Sequence, residues 1–209
     1  MKKLLLLIFY FFLFANPTFA LIEIDITRGN LEPLPIAISP LYVEPGSKDI
    51  KQGDKIIKNI GEEISRVIEI NFKRSGLFNP LKKDSFVQNP DIAHVKPRFE
   101  DWRLIKAQAL VTGKATVSED KLRIEFRLWD VVAAKEMIAL AFSTTPDNWR
   151  RVAHIISDKV YQRLTGEEGY FDTRIIYVSE TGKKTQRCKK LAIMDQDGAN
   201  VKYLTLAPS

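Results

Sequence analysis

Asp195-Gln196-Asp197-Gly198 places two carboxylates at alternate positions ahead of a glycine, which is how a calcium loop begins. Wrapping an ion needs further oxygen ligands at fixed steps. Here Ala199 falls at the fifth ligand position, Asn200 stands where the invariant glycine belongs, and no bidentate Glu follows. A tight turn between two strands is the better expectation. The histidines, His94 and His154, are the other groups able to hold a metal or move a proton. Neither belongs to an HExxH pair, and the chain has no G-x-S-x-G elbow and no phosphate-cradling glycine loop. No metal, no cofactor and no catalytic residue is expected.

What remains is chemistry of contact. Lys183, Lys184, Arg187, Lys189 and Lys190 could hold an anionic partner, although a solvated hairpin loop uses the same residues. Trp102, Trp129 and Trp149 could form an aromatic platform, but aromatics on amphipathic faces belong more often to a core. Cys188 is alone, so no intramolecular disulfide forms and stability must come from packing.

Net charge excludes little except nucleic acid. The chain of 209 residues carries +6, and the basic residues are scattered rather than gathered on one motif. Its first twenty residues read as a secretory signal peptide: Lys2 and Lys3, an apolar run from Leu4 to Ala15, then Pro17 and the small-residue site Thr18-Phe19-Ala20. That run is shorter than the roughly 17 to 25 residues of a membrane-spanning helix. Cleavage after Ala20 is expected, with no Cys at position 21 to accept a lipid, and export to a periplasm or beyond.

The elements that would position any site follow from periodicity. Leu34 to Val43 is an apolar run bounded by prolines and reads as a buried strand. From about Asp54 to Ser75, Ile57, Ile60, Ile64, Val67 or Ile68 and Asn71 or Phe72 recur at three and four, an amphipathic helix closed by Gly76. Ser75 to Leu81 reads as a connection and Pro97 to Ala107 as a short helix. Ala109 to Val117, Lys121 to Asp130 and Glu136 to Thr144 read as strands, the second alternating strictly. Thr145 reads as the cap of a second long helix with Pro146 at its first position, carrying the stripe Trp149, Val152, Ile156, Val160 and Leu164 up to Gly166.

These elements compose an α/β domain over residues 21–168, a mixed sheet covered on one side by two main helices. Its expected core holds Ile36, Ile38, Ile60, Ile64, Ile124, Phe126, Leu128, Ile156 and Val160. Beyond it, Arg174 to Ser179, Lys190 to Met194 and Val201 to Thr205 read as short strands of an all-β unit. Over 169–209 this reads as the opening of a second domain whose remainder is missing.

Several stretches together resemble the TolB family, periplasmic components of the Tol-Pal system. They are SGLFNPL after a long helix, Trp102 ahead of a strand through Val111-Thr112-Gly113, LTGEEGYFDTRIIYVSE from Leu164 to Glu180, and LAIMDQDGANVKYLT from Leu191 to Thr205. The resemblance implies that residues 169–209 are the incomplete first blade of a β-propeller. It implies a non-enzymatic adaptor that keeps the outer membrane intact and helps constrict it at division. In this family the propeller engages a Pal-like lipoprotein, expected here only if the rest of the propeller is present, and the mature N-terminus engages a TolA-like protein. TolB-like propellers also accompany hydrolase domains in peptidases, and a solute- or glycan-binding module with an aromatic-lined pocket is a further alternative.

The leading stretch LIEIDITRGN fits the partner role. Ile22, Ile24 and Ile26 alternate with Glu23, Asp25 and Thr27, so an extended segment has one apolar face and can add to a partner's sheet edge. Leu21, Ile22, Glu23, Ile24, Asp25, Ile26, Thr27 and Arg28 are therefore the candidate partner-binding residues, with Gly29 as the hinge. The same residues could instead form an edge strand of their own domain.

Overall fold

Asn59, not Asp54, begins the first long helix. In the computed structural model, which describes residues 22–24, 32–52 and 55–205, helix α1 spans Ile60–Ser75, and the Asn59 side chain accepts the Glu62 N–H at 3.2 Å. The residues ahead of it form a hairpin, β3 (Ile50–Gln52) against antiparallel β4 (Lys55–Ile57). Adjacent β-branched Ile56 and Ile57 suit a strand better than a helix start, and Ile57 only happens to continue the helical spacing. Gly76 ends α1 at φ 73°, with Lys73 and Arg74 in the last turn.

The expected strand from Leu34 to Val43 is two strands, because Pro40 interrupts it. β1 (Leu34–Ile38) and β2 (Tyr42–Val43) both run parallel to β6 (Ala109–Val117), and between them Ser39 N–H donates to the Val111 carbonyl at 3.0 Å. Within the expected connection after α1, Phe78–Pro80 is a strand, β5, parallel to β1. Pro80 is tolerated there because β5 lies at the sheet edge. β6, β7 (Leu122–Asp130) and β8 (Lys135–Thr144) form an antiparallel meander, so the six-stranded mixed sheet has the order β5-β1-β6-β7-β8, with β2 also on β6.

Helices cover both faces, not one. On the larger side α1 packs with α4 (Trp149–Thr165) over Ile36, Ile38, Ile124, Phe126 and Leu128, and every expected core residue is buried there. On the opposite face α2 (Pro90–Ala93) and α3 (Phe99–Leu104) enclose a smaller cluster of Ala37, Trp102, Leu110, Trp129 and Val131. Central strands buried on both faces read as continuous apolar runs. Trp102 donates its indole N–H to Gln88 Oε1 at 2.8 Å and Trp129 to Thr112 Oγ1 at 2.9 Å, and Trp149 is buried in the larger core. The three tryptophans are thus packing residues of two separate clusters.

Helix α4 is preceded by a 3₁₀ turn, Pro146–Asn148, so Pro146 opens that turn and the α-helix proper starts at Trp149. Gly166 closes it at φ 77°. The following connection is clasped to α4. Asp158 accepts the backbone N–H groups of Phe171 at 2.7 Å and Asp172 at 3.0 Å, and burial, outweighing those two bonds, pushes its carboxyl above the usual value. The chain then enters a separate antiparallel sheet of three strands: β9 (Arg174–Thr181), β10 (Cys188–Asp195) and β11 (Lys202–Tyr203), in the order β11-β10-β9.

Candidate functional site

Of the candidate partner-binding residues, Ile22, Glu23 and Ile24 are described; Leu21, Asp25, Ile26, Thr27, Arg28 and the hinge Gly29 lie outside the described residues, as does the leader 1–20. Ile22–Ile24 does not join a sheet. Its Ile24 N–H donates to the Leu164 carbonyl at 2.7 Å, in the last turn of α4. The last four carbonyls of a helix have no partner within it, so an extended segment arriving there finds an acceptor ready. The Ile22 N–H donates to Asp130 Oδ2 at 3.3 Å, at the end of β7. Asp130 is fully buried, and its other oxygen accepts the Ala133 N–H at 2.8 Å, holding the turn into β8. Ile24 is 8% exposed and enters the main core, Ile22 packs on that core half-buried, and Glu23 is exposed.

A second polar constellation joins α1, α4 and the turn after β10. The Ser157 hydroxyl donates to the Ala153 carbonyl, so its lone pairs accept from Asn71 Nδ2 at 2.9 Å. The other Asn71 amide hydrogen then points to His154 Nδ1, 3.0 Å away, which leaves the imidazole proton on Nε2. Asn71 Oδ1 accepts from Gln196 Nε2 at 2.9 Å, and Arg74 donates to the Gln196 carbonyl at 3.0 Å. Arg150 forms an ion pair with Asp197, and the Asp197 carboxylate lies 3.7 Å from His154 Nε2. Burial pushes the Asp197 carboxyl up, but the Ala199 amide and the Arg150 guanidinium outweigh it and hold it below the usual carboxylate value.

His154, Asp195 and Asp197 have ligand atoms within 4.8 Å of one another. The bonding runs against a cation there: Nε2 carries the proton, Arg150 occupies Asp197, and Asn200 Nδ2 donates to Asp195 Oδ2 at 2.6 Å. The Asp-Gln-Asp-Gly turn is therefore a clamp on α1 and α4. Its turn bonds are Gly198 N–H to the Asp195 carbonyl and Asp195 N–H to the Ala199 carbonyl, both 2.9 Å.

Burial lowers the His154 pKa, against the field of Asp197, which raises it, and with Arg150, which lowers it further; Asp195 and Asp172 also raise it. The unfolded chain therefore takes up the proton first. Folding stability contributed by neutral His154 is whole above about pH 6.5 and is lost as the pH falls through that value. Urea melts from pH 7.5 to 5 should show this loss in the wild type and a flatter profile in His154→Gln; parallel profiles would refute it.

The remaining candidates are not brought together with these. His94 stacks on Tyr42 at 4.5 Å and its Nδ1 donates to the Pro90 carbonyl at 3.0 Å, on the opposite face of the sheet. Arg187 and Lys189 pair with Glu180 at 2.6 and 2.9 Å, and Lys190 lies over the Tyr203 ring. Cys188 is half-buried beside them on β10. The cleft beside the clamp is lined by Gln52, Arg150, Arg151, Asp172, Asp195 and Lys202 among others, with no Trp, Tyr or Phe. Sequence reasoning missed Asn71, Ser157, Arg150, Gln196 and Asp130; the one signal was a polar Asn71 and Ser157 intruding on otherwise apolar helix stripes.

Among the described residues no helix is long and apolar enough to cross a membrane. Residues 22–137 match the family described as the TolB amino-terminal domain. The chain is 67% identical over 198 residues to the Tol-Pal system protein TolB of Pelagibacter ubique (strain HTCC1062), covering 94% of this chain and 44% of that one. It thus spans less than half the length of that relative. The crystal structure of TolB from Acinetobacter baumannii is similar with a TM-score of 0.66 at 23% identity, over 83% of this chain and 39% of that one. That likeness bears on the fold.

Proposed function

Because this chain belongs to the TolB amino-terminal domain family, we propose that it is a non-enzymatic periplasmic adaptor of the Tol-Pal system, offering its leading segment to a TolA-like partner. In this reading the leader is removed after Ala20, residues 21–168 form the α/β domain, and β9–β11 open a propeller. A Pal-like lipoprotein is engaged only where the remaining blades are present. The role is to keep the outer membrane intact and to link it to constriction at division.

The observation that carries the reading is how lightly Ile22–Ile24 is held. Among the described residues, two backbone-donated hydrogen bonds, to Leu164 and Asp130, tie it to the domain, with the Ile24 side chain buried and Ile22 packed half-buried beside it. Each such bond contributes about 1 kcal/mol, and burying Ile24 contributes about 1.5–3 kcal/mol. A few kcal/mol is a difference that a partner's sheet edge can match through backbone bonds and the alternating Ile22, Ile24 and Ile26.

Calorimetry against the cognate TolA C-terminal domain tests it. The chain from Leu21 onward should bind, and deletion of Leu21 to Arg28 should abolish binding while a cooperative melt remains. Undiminished binding after the deletion would sink the proposal. Loss of the cooperative melt would show the segment to be a structural part of the domain instead.

A further inference from the structure

Strand β8 ends the six-stranded sheet: one edge pairs with β7, and the other pairs with no strand among the described residues. Native proteins guard such edges with charges, prolines, bulges or short length. β8 has ten residues, and after Lys135 and Glu136 the run Met137 to Thr144, MIALAFST, carries no charge, proline or glycine. The one register shift in this ladder, between Leu128 and Trp129, bulges out Met137 at the start of that run, so Ile138 to Thr144 is the regular, unguarded part. Leu140 is 42% exposed although it stands opposite fully packed Phe126.

We propose that the free edge of β8 pairs antiparallel with β8 of a second copy of this chain, joining two six-stranded sheets across a two-fold axis at Leu140. Ile138, Leu140 and Phe142 share the face covered by α1 and α4, since their ladder partners Leu128, Phe126 and Ile124 all belong to that core. About an axis at Leu140, that residue meets its own copy, Ile138 meets Phe142 and Ala139 meets Ala141, while Met137, which the ladder register skips, falls outside the regular pairing. Apolar residues on the helix side thus face apolar residues, small face small, and no like charges are opposed, which are the pairings that stabilise adjacent strands. This match is a property of the run with itself, so it favours a second copy over an unrelated strand. The contact is isologous and closes at two chains.

The interface is short, so association belongs at high concentration. Sedimentation velocity of the chain from Leu21 onward, over about 5 to about 500 μM, should show the mass rising from one chain towards two. Ala139→Lys with Ala141→Lys opposes lysines across the axis and should hold the protein monomeric throughout. Ala139→Lys with Ala141→Glu opposes unlike charges at the same positions and should restore the dimer. Unchanged melting temperatures keep the comparison among folded proteins. A wild type monomeric over the whole range, a double-lysine variant that associates like wild type, or growth past two copies would each overturn the proposal.

Discussion

Replacing Phe171 by alanine should lower the unfolding free energy by about 3–5 kcal/mol, the usual loss when a buried aromatic ring is emptied from a core. Phe171 lies in the connection between α4 and β9, yet it is 1% exposed. Its ring sits edge-on to Phe72 at 6.1 Å and to Tyr161 at 5.8 Å, and tilted against Tyr170 at 4.6 Å. Its backbone N–H is held by Asp158. The ring therefore plugs the helical layer from the side on which the three-stranded sheet departs. Urea unfolding followed by far-ultraviolet circular dichroism gives the number. Phe171→Leu should recover a large part of the loss, because most of the apolar volume is restored. A loss under about 1 kcal/mol for the alanine variant would mean that the connection peels away without disturbing the core.

Gly61→Ala should destabilise the protein by about 2–3 kcal/mol even though alanine is favoured over glycine by about 1 kcal/mol inside a helix. Gly61 is the second residue of α1 and is buried. A Cβ there would lie 2.0 Å from the Leu41 carbonyl oxygen and 3.0 Å from Val43 Cγ2. The obstacle is main chain, and it is fixed from both sides: Leu41 N–H donates to the Gly61 carbonyl at 3.2 Å, while β2 is paired with β6. Relief requires α1 to lift from the segment between β1 and β2, opening the core at Ile60 and Ile64. Thermal melts decide the sign, and a variant as stable as wild type would show that α1 moves without cost.

Periodicity was enough for α1, α4 and the β6–β8 meander, because each buries one face against a layer many residues long and so repeats its signal. It failed where a short element depends on a distant partner. Phe78–Pro80 is a strand only because β1 lies beside it, and Ile50–Gln52 and Lys55–Ile57 are strands because they pair with each other ahead of the helix that Asn59 caps. Trp102 and Trp129 announced burial, but not that they close the face opposite α1 and α4.

The clamp was less legible than the fold. Asp197 was visible as a turn residue after β10, and His154 as a histidine beside an apolar stripe. Nothing local relates them, since they stand 43 positions apart and meet through an ion pair and hydrogen bonds involving Arg150, Asn71 and Gln196. The leading segment shows the same division. Alternation of Ile22, Ile24 and Ile26 with polar residues is local and is written in the sequence alone. That Ile24 meets the last turn of α4, rather than a sheet edge, was decided by the tertiary structure, because only the assembled domain brings the unpaired carbonyl of Leu164 and the carboxylate of Asp130 within reach of the segment's backbone.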